Sequence, residues 1–274
     1  PKAVARLGEH PELFSREDDF VLLGVGKNMA QSIRYWCSVL GISGKSEDGG
    51  VQITPFASTV FGEGGLDPYM EDDSTLWLLH WMATRPQSQA GTTSLLFSSW
   101  QHPTFTKELV VDWLEGLEHS QKTPSNSVLS RDVGVTIGMY TRSLRTSRSS
   151  IEESFDSPLS ELGLLERQSS GSGYRFNVGR KPTLRPMTLA LALEDFWSTV
   201  AMGQSTIKLD RLIHDFGSPG NSFKLSHSVM HEMIGSMPPE AGFEVSETAG
   251  VAVVHRDGPD ESRFIDLLAR AYGE

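Results

Sequence analysis

Asp67, Glu71, Asp72 and Asp73 form the densest acidic group in the chain, and His80 follows about two helical turns later. Carboxylates so grouped can hold one or two divalent cations, which stabilise the attacking and leaving oxygens when a phosphodiester is cut. In that reading Asp67, Glu71 and Asp72 bind Mg2+ or Mn2+, and Asp72, Glu71 and His80 are the catalytic set, with His80 moving a proton or orienting a ligand. The same residues have a plainer use. Asp72 and Asp73 suit the start of a helix, where carboxylates cap free N–H groups and meet the positive end of the dipole. His80 is then a hydrogen-bonded core residue.

His227 and His231 are four residues apart, with Glu232 adjacent. Two histidines at that spacing can share a metal. The zinc-protease pattern instead needs Glu directly after the first His, where Ser228 stands. The face can equally contact phosphates or bases, or simply meet water. Cys37, the one cysteine, has no partner for an internal disulfide and falls on an apolar helix face, as an inert packing residue does. No Gly-x-Ser-x-Gly elbow occurs, and no restriction-nuclease core of Asp with Glu-x-Lys on strands is evident.

The elements that must carry these groups begin at residues 24–36, a glycine-hinged entry into a helix. At 100° per residue, Met29, Ile33, Trp36, Cys37 and Leu40 gather on one side, and Lys27, Gln31, Arg34 and Ser38 lie opposite. Residues 49–54 alternate like a strand after a turn. Helix, turn and short strand with a basic, amide-bearing face is how a winged helix meets a DNA groove, so Lys27, Asn28, Gln31 and Arg34 are candidate duplex contacts. A plain amphipathic helix facing water is the alternative. A phosphate-binding loop is excluded by spacing, because Val21 stands where it needs glycine and Asn28 where it needs Ser or Thr.

Further along, residues 75–82 are apolar nearly all round and predict a core helix capped by Asp73 or Ser74. Thr106 caps a helix with Leu109, Val110, Trp113, Leu114 and Leu117 inward, and residues 120–127 read as a linker. Ser130 caps a helix with Val133, Ile137, Tyr140 and Leu144 inward, and a basic serine-rich stretch follows over 142–150. Residues 162–165 and 174–178 predict a hairpin. A long apolar helix over 187–200, a helix over 209–216, a turn over 217–220, a helix capped by Ser226 and two strands around Ala249-Gly250 repeat the helix-turn-helix-and-wing theme. The predicted fold is mainly α with short β-hairpins (α+β), with winged-helix units at both ends joined by a helical middle. The predicted domains are 1–120, 121–186 and 187–274.

With 274 residues and 38% hydrophobic content the chain can bury one large core or two smaller ones. Its net charge of −11 argues against indiscriminate nucleic-acid binding, which needs Lys and Arg. Distribution matters more. Cations outnumber acids from 131 to 185, and Arg142, Arg145, Arg148, Arg175, Arg180 and Lys181 are candidate phosphate contacts. No apolar run approaches the ~18 residues of a membrane span, since His80 interrupts the longest. The first residues lack a basic-then-apolar signal pattern, so a cytoplasmic protein is expected.

Several stretches together are specific: Leu23-Gly24-Val25-Gly26-Lys27-Asn28-Met29 with Ile33-Arg34-Tyr35-Trp36; Asp67-Pro68-Tyr69-Met70-Glu71-Asp72 with Thr75-Leu76-Trp77-Leu78-Leu79-His80-Trp81; Ser157-Pro158-Leu159-Ser160-Glu161-Leu162-Gly163-Leu164; Gly217-Ser218-Pro219-Gly220 with Phe223-Lys224-Leu225; and Glu247-Thr248-Ala249-Gly250. Over nearly its full length the chain resembles bacterial proteins encoded in DNA phosphorothioation and anti-phage gene clusters, the B components of single-stranded (Ssp) systems in particular. It departs from them at residues 10–16, where their aromatic-rich lead is plainer. The resemblance implies a protein that acts on double-stranded DNA during sulfur modification by nicking or positioning one strand. It also implies partners in a cysteine desulfurase and an ATP-dependent sulfur-transfer enzyme. A non-enzymatic scaffold or transcriptional regulator that recruits those partners is the alternative.

Overall fold

In this computed structural model the described residues are 1–16, 18–47, 49–117, 124–142, 156–169, 171, 173–258 and 263–273. The chain opens with α1 (Lys2–Glu9), α2 (Asp19–Leu23), α3 (Lys27–Val39) and an antiparallel hairpin of β1 (Ser43–Lys45) and β2 (Val51–Ile53). The helices α4 (Pro55–Phe61), α5 (Asp73–Thr84) and α6 (Gly91–Ser98) follow, then β3 (Thr104–Phe105), α7 (Lys107–Glu115), α8 (Asn126–Tyr140), β4 (Leu165–Arg167) and β5 (Tyr174–Phe176). The last part is α9 (Pro186–Val200), β6 (Thr206–Lys208), α10 (Leu209–His214), α11 (Pro219–Ser222), α12 (His227–Gly235), β7 (Phe243–Thr248), β8 (Val251–Arg256) and α13 (Arg263–Ala271). The fold is thus mixed, mostly helical, with small antiparallel sheets.

Local chemistry explains most boundaries. Gly24 closes α2 in the left-handed conformation at φ 61°, which glycine adopts without steric cost, and turns the chain into α3. Thr106 and Ser226 cap α7 and α12 by accepting from the N–H groups of Leu109 and Val229. The β7–β8 turn holds both Ala249 and Gly250 at positive φ, as tight hairpins require. Three details differ from the sequence reading. The cap of α5 is Asp72, whose carboxylate accepts from the Ser74 N–H, because Asp73 and Ser74 already lie inside the helix. The helix α8 starts at Asn126, a turn before Ser130. Leu109 stands 54% exposed, although Val110, Val111 and Leu114 of the same helix are buried.

The hairpin expected over 162–165 and 174–178 forms as β4 and β5, and a third strand that the sequence reading did not include joins it. Thr104 and Phe105 of β3 pair with Arg175 and Tyr174 of β5, and β5 also pairs with β4, giving the order β3-β5-β4. That sheet crosses the boundary expected between residues 120 and 121. The C-terminal sheet has the matching order β6-β8-β7. Both sheets arise from one succession: a helix, a strand, two or more helices, then a hairpin whose second strand pairs back onto the first. The N-terminal segment follows that succession without its leading strand.

A single core runs through all three segments, from Val4 and Leu7 of α1 to Leu267 and Leu268 of α13. At its centre α5 is buried from Ser74 to Thr84, with Trp77 and Trp81 fully enclosed. This agrees with its all-round apolar sequence. Among the described residues no helix is long and apolar enough to cross a membrane.

Candidate nucleic-acid interface

The helix α3 packs through Ala30, Cys37 and Val39, with Ile33, Trp36 and Leu40 half-buried, and presents Lys27, Asn28, Gln31 and Arg34 to solvent. Lys27 is its first residue and Arg34 lies two turns on along the same outer stripe. Neither cation has a carboxylate partner among the described residues. Several other surface arginines are neutralised locally: Arg6 by Glu9, Arg16 by Asp18, Arg131 by Asp132, and Arg211 by Asp215. Met29, expected inward, stands 59% exposed instead, because Ala30 takes the core position. Cys37 is enclosed, and burial pushes its thiol up to about 11, which leaves it protonated and unreactive near neutrality.

The predicted phosphate strip divides. Arg142 is exposed. Arg145 and Arg148 lie outside the described residues, as do the basic stretch from 143 and half of the expected linker. Arg175 pairs with Glu166 at 2.9 Å, and Arg180 pairs with Glu232, which occupies both. Lys181 is not a surface group at all. It is 3% exposed, and its ammonium donates to the carbonyls of Asn177 at 2.7 Å and Gly179 at 2.8 Å. The strip predicted by counting charges is therefore not continuous.

The acidic group is committed to holding α5 in place. Asp67 is 5% exposed; it accepts from the N–H groups of Glu71 at 2.8 Å and Asp72 at 3.1 Å and from the Thr75 hydroxyl. The Tyr272 hydroxyl then donates to Thr75, which ties α13 to the same spot. Asp72 caps α5 and accepts from Arg185 through both oxygens. Glu71 alone keeps an exposed carboxylate. Asp67, Glu71 and Asp72 do not fit a metal centre, because the oxygens of the two aspartates are aimed at donors rather than at a shared point. No three His, Cys, Asp or Glu side chains among the described residues stand together where they could hold a metal ion.

His80 is likewise committed to internal partners. It is wholly enclosed, and its Nε2–H donates to the Ser222 carbonyl at 3.0 Å while Nδ1 accepts from the Tyr140 hydroxyl at 2.7 Å. A carbonyl only accepts, so this pattern fixes the neutral tautomer. Burial holds the ring's pKa down to about 3. His227 is 3.7 Å from Asp210 and His231 is half-buried on α12, and among the described residues they belong to no group of three that could hold a metal.

Sequence reasoning passed over one charged residue, Lys224. It looked like any surface lysine in a loop, yet it is 7% exposed and lies 4.3 Å above the Phe176 ring. The signal was its place inside the apolar run Phe223-Lys224-Leu225.

Comparison places this architecture among known proteins. Over 99% of its length the chain superposes on a crystal structure of SspB with a TM-score of 0.86 and 26% identity, covering 83% of that chain. A magnesium-ion-bound crystal structure of SspB matches with the same TM-score and coverage at 25% identity. No curated protein matches by sequence. The model of the DUF4007 family, described as a protein of unknown function, matches residues 1–272. In fold the chain is SspB-like, and it belongs to the DUF4007 family.

Proposed function

We propose that this chain is a duplex-DNA-binding component of a DNA phosphorothioation system, with α3 as the helix that enters the groove. The observation that carries the reading is the free state of Lys27 and Arg34, which share an exposed helix face with the amides of Asn28 and Gln31. Amides and guanidinium groups at helix spacing reach base edges and phosphates together. The succession of α1, α2, α3 and the β1–β2 hairpin supports a winged-helix unit here. The succession from α9 to β8, with strand order β6-β8-β7, supports a second one at the other end.

The likeness to SspB supports the phosphorothioation setting and, with it, a cysteine desulfurase and an ATP-dependent sulfur-transfer enzyme as partners. Strand nicking with Mg2+ or Mn2+ is the reaction the resemblance implies. The commitments of Asp67, Asp72 and His80 favour the other role, a DNA-bound scaffold that recruits the sulfur enzymes. Supercoiled plasmid separates the two. Purified protein is incubated with Mg2+, Mn2+ or EDTA, and the topology is read on a gel. Retardation without open circles supports the scaffold, metal-dependent open circles support the nickase, and no retardation in any condition overturns DNA binding itself.

A further inference from the structure

Where the middle and C-terminal segments meet, a cavity of about 180 Å³ is lined by Trp100, Gln101, His102, His214, Asn221 and Lys224, with no carboxylate in its wall. Lys224 is the unusual member. It is held at φ 54°, a conformation that L side chains rarely adopt, and its ammonium donates to the Phe97 carbonyl at 2.5 Å and the Asn221 Oδ1 at 3.3 Å. The Lys181 ammonium donates to the Lys224 carbonyl at 3.2 Å, so a second enclosed cation adds to the same positive field. Neither ammonium has a carboxylate partner among the described residues. Burial lowers Lys224 to about 7 and Lys181 to about 8. Trp100 also lines this cavity, and its Nε1–H is buried without a hydrogen-bond partner among the described residues.

Both ammonium groups are hydrogen-bonded, but buried cations without a counter-charge and donors without an acceptor are costly, and a bound anion relieves both. The geometry points to a binding pocket for a tetrahedral oxyanion, a phosphate or phosphate monoester, in which Lys224 supplies the charge, Trp100 a fixed donor, and His102 with His214 the open side. The cavity has room for a phosphate group. The ligand comes either as free phosphate or as the terminal phosphate of a nucleic-acid strand.

The whole chain, labelled with 15N at tryptophan, is titrated with sodium phosphate against sodium chloride of equal ionic strength. The Trp100 indole resonance is identified by Trp100→Phe. It is expected to move downfield and saturate with phosphate only, and Lys224→Met is expected to abolish the response. His102→Ala alters an exposed residue, so it keeps the test open if Lys224→Met does not fold; it is expected to weaken binding about 3- to 10-fold. A 5′-phosphorylated dinucleotide that saturates below inorganic phosphate, while its 5′-hydroxyl counterpart is silent, assigns the pocket to strand ends. Response to inorganic phosphate alone assigns it to the free anion. An unmoved Trp100 resonance, an equal shift with chloride, or wild-type affinity in both variants overturns the proposal. None of these outcomes bears on α3, which the plasmid assay reads.

Discussion

The Arg185 guanidinium, at the start of α9, donates to both oxygens of Asp72, the cap of α5, at 3.0 and 3.1 Å. It also reaches the Ala271 carbonyl at the end of α13, so one side chain ties together three helices far apart in sequence. This half-buried pair explains why a dense acidic group need not be a metal site. Asp72→Ala removes the cap and leaves Arg185 unpaired. It is expected to cost ~1–3 kcal/mol in denaturant unfolding. A variant of undiminished stability contradicts the assignment.

The exposed face of α3 makes a salt-dependence prediction. Each phosphate contact by Lys27 or Arg34 adds roughly 0.9 to the slope of log binding constant against log salt. Lys27→Ala with Arg34→Ala is therefore expected to weaken duplex binding and flatten that slope by about 2. An unchanged slope, measured by fluorescence anisotropy, excludes α3 as the phosphate-contacting helix.

His80 makes a pH prediction with a definite sign. Its pKa in the fold, about 3, lies below the ordinary value of 6.5, so the unfolded chain binds the proton more readily. Its contribution is complete above pH 6.5 and is lost as pH falls toward 3. Between pH 6.5 and 4.5 the loss amounts to about 2 kcal/mol. His80→Gln is expected to be less stable at neutral pH, yet to show a shallower acid decline in urea unfolding. Parallel pH curves for the two proteins refute the neutral, buried histidine.

The hinge before α3 separates two glycines. Gly24 has φ 61° and nothing but the tip of Lys2 near its missing side chain, whereas Gly26 has an ordinary φ of −69° and open space around it. Gly24→Ala is expected to cost about 1 kcal/mol through backbone strain alone. Gly26→Ala is expected to cost only a few tenths of a kcal/mol, because the smaller unfolded-state entropy of alanine offsets its poorer fit at the N-cap of α3. Equal thermal shifts for both variants contradict the turn geometry.

Local pattern made several elements legible. The outer stripe of α3, the caps at Thr106 and Ser226, the apolar α5 and the β7–β8 hairpin each depend on residues within one or two turns of each other. The sequence by itself therefore determined where several helices begin, which faces are polar and where hairpins turn, because caps, periodicity and positive-φ turns act over a few residues. Tertiary structure alone decided the rest. It brought Thr104 beside Arg175 to form a sheet in the middle of the chain. It directed Asp67 and Asp72 onto backbone and Arg185, and sealed His80 between Tyr140 and Ser222. It also enclosed Lys181 and Lys224, though nothing in their residue type marks them as buried. Each of these outcomes depends on which distant atoms fill the space around a polar group, and desolvation, unlike periodicity, is a property of that space.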